Sequence, residues 1–218
     1  MIIAIIGAGG VGRSLATAFR RAGHDVIVTS RDAEAAAAVA ADTGATAVGT
    51  SLEAAASADV VVLAVPFASS GEAVAREVAP AIAGKIVVDV TNPLKPTFDG
   101  LLTEDGPSAA ERFATWLPGA HVVKAFNTLF AADQTDPIVA GVQLDGFVAG
   151  DDPGAKALVL GLVRSVGLRP IDAGPLARAR ELEALAWLNI SLQASLGNTW
   201  RTGWKLVGVP SGILEPAA

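Results

Sequence analysis

Unbroken apolar runs alternate along this chain with stretches in which apolar residues recur every three or four positions. MIIAII at 1–6, VIV at 26–28, VVVLAV at 60–65, KIVVDV at 85–90 and HVVKAF at 121–126 are the runs. Strands covered on both faces of a parallel sheet read in this way, without polar alternation. The intervening stretches have helical spacing and predict helices over 13–22, 33–41, 51–57, 70–83 and 108–117, with a short strand at 45–48. Pro66 cannot continue a central strand, so Pro66-Phe67 marks the carboxyl edge of its strand. A loop excursion is expected over 101–106. Beyond residue 126 the alternation loosens to a strand at 146–150, a helix opened by Asp151-Asp152-Pro153 and running to about 166, a strand at 169–172, and a long helix over 177–196. The pattern predicts an α/β protein with a doubly wound parallel sheet: residues 1–140 as one domain and 141–218 as a small C-terminal α/β domain completing a cleft.

The first strand opens into Gly7-Ala8-Gly9-Gly10-Val11-Gly12 and then a helix. In such a unit Gly7 makes the tight turn, Gly9 lets a pyrophosphate approach bare backbone, and Gly12 lets the helix pack close to the sheet. The helix N-terminus adds unpaired N–H groups and partial positive charge for the phosphates. This is the fingerprint of a Rossmann dinucleotide fold. After the second strand an NAD site would carry an acidic residue for the ribose 2′-hydroxyl, and here Thr29-Ser30-Arg31-Asp32 stands instead. Ser30 can donate to a 2′-phosphate, while Arg31 can pair with it and stack on adenine, so NADP is expected rather than NAD. The bland reading makes Arg31 a solvated residue and Asp32 the cap of the next helix. Ala64, Val65 and Pro66 lie where ribose or nicotinamide would touch, and Asn92 and Ala125 occupy the same edge one and two strands over.

Composition narrows the chemistry. Hydrophobic residues make up 51% of 218 and charged residues 17%, so much surface needs covering and self-association is a natural means. A net charge of −6 without a Lys/Arg run argues against nucleic-acid binding. No apolar stretch approaches a membrane span, and the first residues enter a strand without a basic leader, so a cytoplasmic protein without membrane contact is expected. Absent cysteines exclude disulfides and thiolate metal sites, and no paired metal-ligand spacing is present. His24 and His121 sit at strand entrances, away from the cofactor edge. The five lysines, Lys85, Lys95, Lys124, Lys156 and Lys205, look scattered, and without tyrosine a Tyr/Lys catalytic pair cannot be built. No catalytic acid or base is assigned. Hydride exchange between nicotinamide and a flavin-like ring needs mainly stacking and alignment, and suits such a protein better than ketone reduction does.

Several motifs in order, GAGGVG at 7–12, SRD at 30–32, AVPF at 64–67, KAFNT at 124–128, GDD at 150–152 and GLRPIDAGPLARARELE at 167–183, resemble the coenzyme F420-dependent NADP oxidoreductases, and also the oxidoreductase domain of STEAP-type metalloreductases. The resemblance implies an NADP-binding Rossmann domain, a small C-terminal domain, a homodimer, and an acceptor ring lying against nicotinamide in the cleft. F420-using members carry His where Asn127 stands, Ser and Thr at Ala184 and Ala186, and often Thr at Ala8. Asn127 and Arg180-Glu181-Leu182-Glu183 look more like the metalloreductase branch, whose acceptor is a flavin. The acceptor-pocket candidates are Asn127, Thr128, Arg180 and Trp187. Asn127 is suited to a carboxamide or ring carbonyl, Arg180 to a ring carbonyl or phosphate tail. Trp187, Trp200 and Trp204 with Leu192 and Leu196 read as core or dimer contact in preference to a ring platform. The expected function is hydride transfer between NADP(H) and coenzyme F420, or FMN/FAD. The alternative is an NADP-binding sensor dimer without turnover. A β-hydroxyacid dehydrogenase would need a catalytic lysine on a long helix, and none follows Gly174 before Lys205.

Overall fold

The computed structural model describes residues 1–209. Its centre is one eight-stranded sheet built from β1 (Ile2–Ile6), β2 (Asp25–Thr29), β3 (Thr46–Ala47), β4 (Val60–Leu63), β5 (Ile86–Asp89), β6 (His121–Ala125), β9 (Asp145–Gly150) and β10 (Arg169–Gly174). The strand order is β10-β9-β6-β5-β4-β1-β2-β3. Pairing is parallel throughout except between β6 and β9. The chain reverses direction across the sheet between β1 and β4, and the crevice above the carboxyl ends of those strands is where doubly wound sheets bind ligands.

Strand side chains alternate between two apolar layers, as a period of two requires. Ile3, Ile5, Val60 and Val62 join the layer under α1 (Gly10–Arg21), α2 (Ala33–Thr43) and α7 (Pro153–Ser165), where Phe19, Val39 and Val159 are sealed. Ala4, Ile6, Val61 and Leu63 face α3 (Ser51–Ser57), α4 (Glu72–Val78) and α5 (Ala109–Trp116), packing with Ala54, Val78 and Phe113. Both faces are covered, which is why the strands read as continuous apolar runs. Helix starts follow their caps. Asp32 accepts from the backbone N–H groups of Glu34 and Ala35, Asp152 from that of Ala155, and Ser108 forms a reciprocal box with Glu111.

Several predicted boundaries need correction. The helix expected over 70–83 divides into a π-helical turn at Phe67–Gly71, α4, and a 3₁₀ turn at Ala79–Ala81 that contains Pro80. The long last helix begins as a 3₁₀ turn at Leu176–Arg178 and continues as α8 (Ala179–Leu192), ending before Leu196. Between β6 and β9 lie two elements the apolar pattern did not show, the short helix α6 (Ala131–Thr135) and the hairpin β7 (Ile138–Val139) with β8 (Val142–Gln143). Ala140 and Gly141 both take positive φ in its two-residue turn, which suits a tight hairpin. The boundary expected at residue 140 falls in this turn, and β9 and β10 beyond it extend the same sheet. Residues 210–218 of the expected second domain lie outside the described residues.

Candidate functional site

A cleft of about 140 Å³ opens at the reversal point, lined by Gly7, Ala8 and Gly9 after β1, Ser30 and Arg31 after β2, and Ala64, Val65 and Pro66 after β4. Three strand tips thus converge as the sequence pattern required. Gly7 has φ 119, and a Cβ there would collide with the Ala64 carbonyl; a Cβ on Gly12 would strike the carbonyl of Gly7. Nothing lies within 4 Å of a Cβ built on Gly9, so its backbone faces open space. The first turn of α1 has no side-chain cap, and Arg13 is the first residue to donate back, to Gly9. The N–H groups before it are left to an anion, and these features together fit a pyrophosphate. Ser30 and Arg31 stand at the rim, and Arg31 forms no ion pair among the described residues. Ser51, Ser70 and Val74 also line the cleft and were missed, because they enter from the starts of α3 and the α4 region, whose tilt the sequence does not reveal. Gly10 and Val11 belong to α1 itself, while Ala125 is fully buried in the core.

The acceptor-side candidates divide between two cavities. Arg180 and Trp187 line one of about 500 Å³ with Leu101, Thr103 and Ala184. Asn127 and Thr128 line another of about 30 Å³, room for a single small group, with Asn92 and Asn189. Arg180 is not free: its Nε and Nη2 donate to Glu111 at 2.8 and 2.7 Å. That bidentate clamp, with the Ser108 bonds, holds the Glu111 carboxyl down at about 2.

Asn127 is only 4% exposed and is turned by Phe126, a buried residue in the left-handed region at φ 63. Such a conformation in a non-glycine residue persists only where its surroundings hold it. The Asn127 Nδ2 donates to Asn92 Oδ1 at 2.9 Å and to the Leu182 carbonyl at 3.0 Å, and Asn92 Nδ2 donates to the Asn127 carbonyl at 2.9 Å. A flipped amide would set oxygen against two oxygens, so the orientation is fixed by its partners. Its Oδ1 remains buried and unpartnered. The expectation of a ring carbonyl on Asn127 therefore needs correcting, because the remaining atom accepts and calls for an N–H or O–H donor.

The lysines are also less scattered than expected. Lys124 is wholly buried, with Nζ 2.7 Å from Asp89 Oδ2 and 2.9 Å from Glu183 Oε1. Burial alone would lower its pKa, but the two carboxylates outweigh this and raise it. Burial raises that of Glu183. Lys85 donates to the carbonyls of Ala55, Ala56 and Ala58 at the end of α3, a structural role. His24 and His121 lie at the opposite edge of the sheet, at the starts of β2 and β6. Trp200 is half exposed and meets the Phe130 ring edge-on, while the indole nitrogen of Trp204 is buried without a partner. Among the described residues there is no group of three or more His, Cys, Asp or Glu suited to a metal, and no helix is long and apolar enough to cross a membrane.

Comparison with known proteins gives a consistent picture. The sequence model of the family described as NADP oxidoreductase, coenzyme F420-dependent, matches residues 2–93. An F420-dependent NADP reductase of Methanothermobacter marburgensis is 36% identical over 209 residues, spanning 88% of this chain and 92% of that protein. Metalloreductase STEAP3 of Rattus norvegicus is 35% identical over 184 residues, 84% of this chain but only 36% of that longer protein. A crystal structure of a candidate F420-dependent NADP-reductase from Arthrobacter sp. FB24 superposes with a TM-score of 0.86 at 34% identity, covering 94% of this chain and 98% of the other. With the glycine turn, the strand tips and the sheet order all in place, and with similarity running nearly end to end, the chain belongs to the coenzyme F420-dependent NADP oxidoreductase family.

Proposed function

We propose that this protein transfers a hydride between NADP(H) and the ring of a deazaflavin, coenzyme F420. The observation that carries the cofactor half is the cleft in which an uncapped glycine turn faces Ser30 and Arg31, the latter without an ion pair among the described residues. The N–H groups from Gly9 to Gly12 would hold the pyrophosphate, and Arg31 with Ser30 the 2′-phosphate. An acidic side chain at the tip of β2 would oppose that charge, and the carboxylate that follows Arg31, that of Asp32, is turned to cap α2. NADPH, when bound, supplies a hydride to the acceptor ring, which takes up a proton from solvent to complete a two-electron reduction.

The acceptor half is supported by the relative named as an F420-dependent NADP reductase, which aligns over most of both chains. Arg180 and Trp187 offer a cation and a flat ring on a cavity large enough for part of a tricyclic acceptor. Glu111 fixes the guanidinium in one plane, leaving Nη1 to meet a carbonyl or phosphate. Asn127 Oδ1 would accept from a carboxamide or ring N–H. Such a site works by positioning and by excluding water, and needs no side chain to carry a proton. Flavin is the second reading, favoured by the 35% identity to a metalloreductase.

Purified protein mixed anaerobically with NADPH and, separately, F420, FMN and FAD tests the proposal. F420 is expected to be reduced fastest, with NADPH strongly preferred over NADH. A flavin preference would move the reading to the second acceptor, and NADPH binding without oxidation by any of the three would mark a sensor.

A further inference from the structure

A lysine in the middle of a central strand needs a reason, because burying an ammonium group is costly unless every proton finds an acceptor. Lys124 meets that condition. Its Nζ donates to Asp89 Oδ2 at 2.7 Å, to the Thr91 carbonyl at 2.6 Å and to Glu183 Oε1 at 2.9 Å. The carboxylates are satisfied in turn. Asp89 Oδ1 accepts from the Thr91 N–H at 2.8 Å, and Glu183 accepts from the Ala109 N–H at 2.9 Å and from Thr103 Oγ1 at 3.2 Å. All three charged side chains are fully shielded from solvent.

Stability is a weak explanation for such a cluster, since well-packed apolar residues of similar volume often serve as well or better. Its geometry suggests another. The cluster joins four segments: the end of β5, β6, α8, and the start of α5. Three residues after Asp89, past the end of β5, stands Asn92, and three after Lys124, past the end of β6, stands Asn127, which donate to each other's oxygen atoms. Beside Glu183 on α8 is Leu182, whose carbonyl takes the other Asn127 proton. Beside Ala109 on α5 is Ser108, whose partner Glu111 clamps Arg180. Both polar groups on the acceptor side are thus a few bonds from one buried lysine, although they line different cavities.

We propose that Asp89, Lys124 and Glu183 form the positioning element of the acceptor site, setting the Asn92–Asn127 amide pair and the Glu111–Arg180 clamp in register with each other. The cluster touches no reacting atom and acts through those four side chains. This rests on the reading above that the acceptor ring binds beside Arg180 and Asn127.

Glu183→Gln tests it, because the amide preserves shape and most hydrogen bonds while removing one charge from the cluster. Four quantities are compared with the unaltered protein: melting temperature, NADPH affinity, kcat and KM for F420, and hydrogen exchange of the Asn127 side-chain amide by NMR without any acceptor. The expected result is a nearly unchanged melting temperature and NADPH affinity, with kcat/KM for F420 falling about tenfold or more through loss of alignment. Asn127 side-chain exchange is expected to accelerate by about the same factor. Unchanged acceptor kinetics and exchange would overturn the proposal, as would a parallel loss of stability, NADPH binding and acceptor binding. Should Glu183→Gln fail to fold, Asp89→Asn receives the same measurements, and failure of both to fold would make the cluster a requirement of the fold and overturn the positioning role. If the unaltered protein reduces no ring acceptor, the functional reading fails, while the exchange measurement still decides whether the cluster orders Asn127.

Discussion

Arg31 and Asp133 show how much one side chain's surroundings decide. Arg31 stands at the rim of the glycine cleft beside Ser30. Replacing it with Ala is predicted to weaken NADPH binding by about 1–3 kcal/mol, the range for a hydrogen bond to a charged group, with little effect on NADH. Equal losses for both cofactors in a calorimetric titration would contradict a 2′-phosphate role. Asp133 on α6 is wholly shielded, and that burial raises its pKa to about 6, opposed by Arg201 at 3.0 Å. A raised carboxyl keeps its proton longer in the folded than in the unfolded chain. Stability from this group is therefore full below about pH 4 and is lost as pH rises to about 6. Asp133→Asn removes that loss: its melting temperature should exceed that of the natural protein above pH 7 by a few degrees and match it near pH 4. A difference that does not change with pH would rule out the burial effect. Of these two residues only the first was legible in the sequence. Arg31 follows a strand in a known spacing, whereas Asp133 sits on a helix whose very existence the apolar pattern did not reveal.

At the scale of elements, strands and caps were readable because their causes are local. Val60 to Leu63 are apolar because both sheet faces are covered, and Asp32 caps the residues that follow it. The π-helical turn at Phe67–Gly71 was not readable, since it answers the packing of Phe67 against Phe113 and Trp116 from another helix. Nor was the Lys124 cluster, whose members are brought together only by the pairing of β5 with β6 and the return of α8. The glycines of α1 allow a direct test. Gly12→Ala would press a methyl into the Gly7 carbonyl, so α1 must lift from β1. We predict a loss of about 1–3 kcal/mol in urea unfolding, the range for overpacking, together with weakened NADPH binding. Unaltered stability would show that the helix does not need its close approach to the sheet.

For the whole molecule, the order of βα units gave the fold class, while the antiparallel turn into β9 followed a hairpin too short to announce itself. The apolar excess in the composition finds its place near the end of the chain. Leu188, Leu192, Leu196 and Trp200 are each roughly 40–50% exposed along α8 and the segment after it, an unusual concentration of large apolar side chains in one stretch of chain. A second copy of the chain is the expected cover, and Leu188→Glu with Leu192→Glu should shift sedimentation from dimer to monomer. A monomer before the substitutions would refute this.

We propose that the cleft between β1 and β4 delivers a hydride directly to a deazaflavin ring. NADPH deuterated at the transferring face of nicotinamide C4, mixed anaerobically with protein and F420, tests it most directly, because the receiving carbon of a deazaflavin retains what it is given while a flavin nitrogen exchanges with water. Direct transfer predicts deuterium in the reduced F420 by mass spectrometry, at one atom per NADPH consumed. Reduced F420 without the label, or no reduction at all in the presence of bound NADPH, would contradict it.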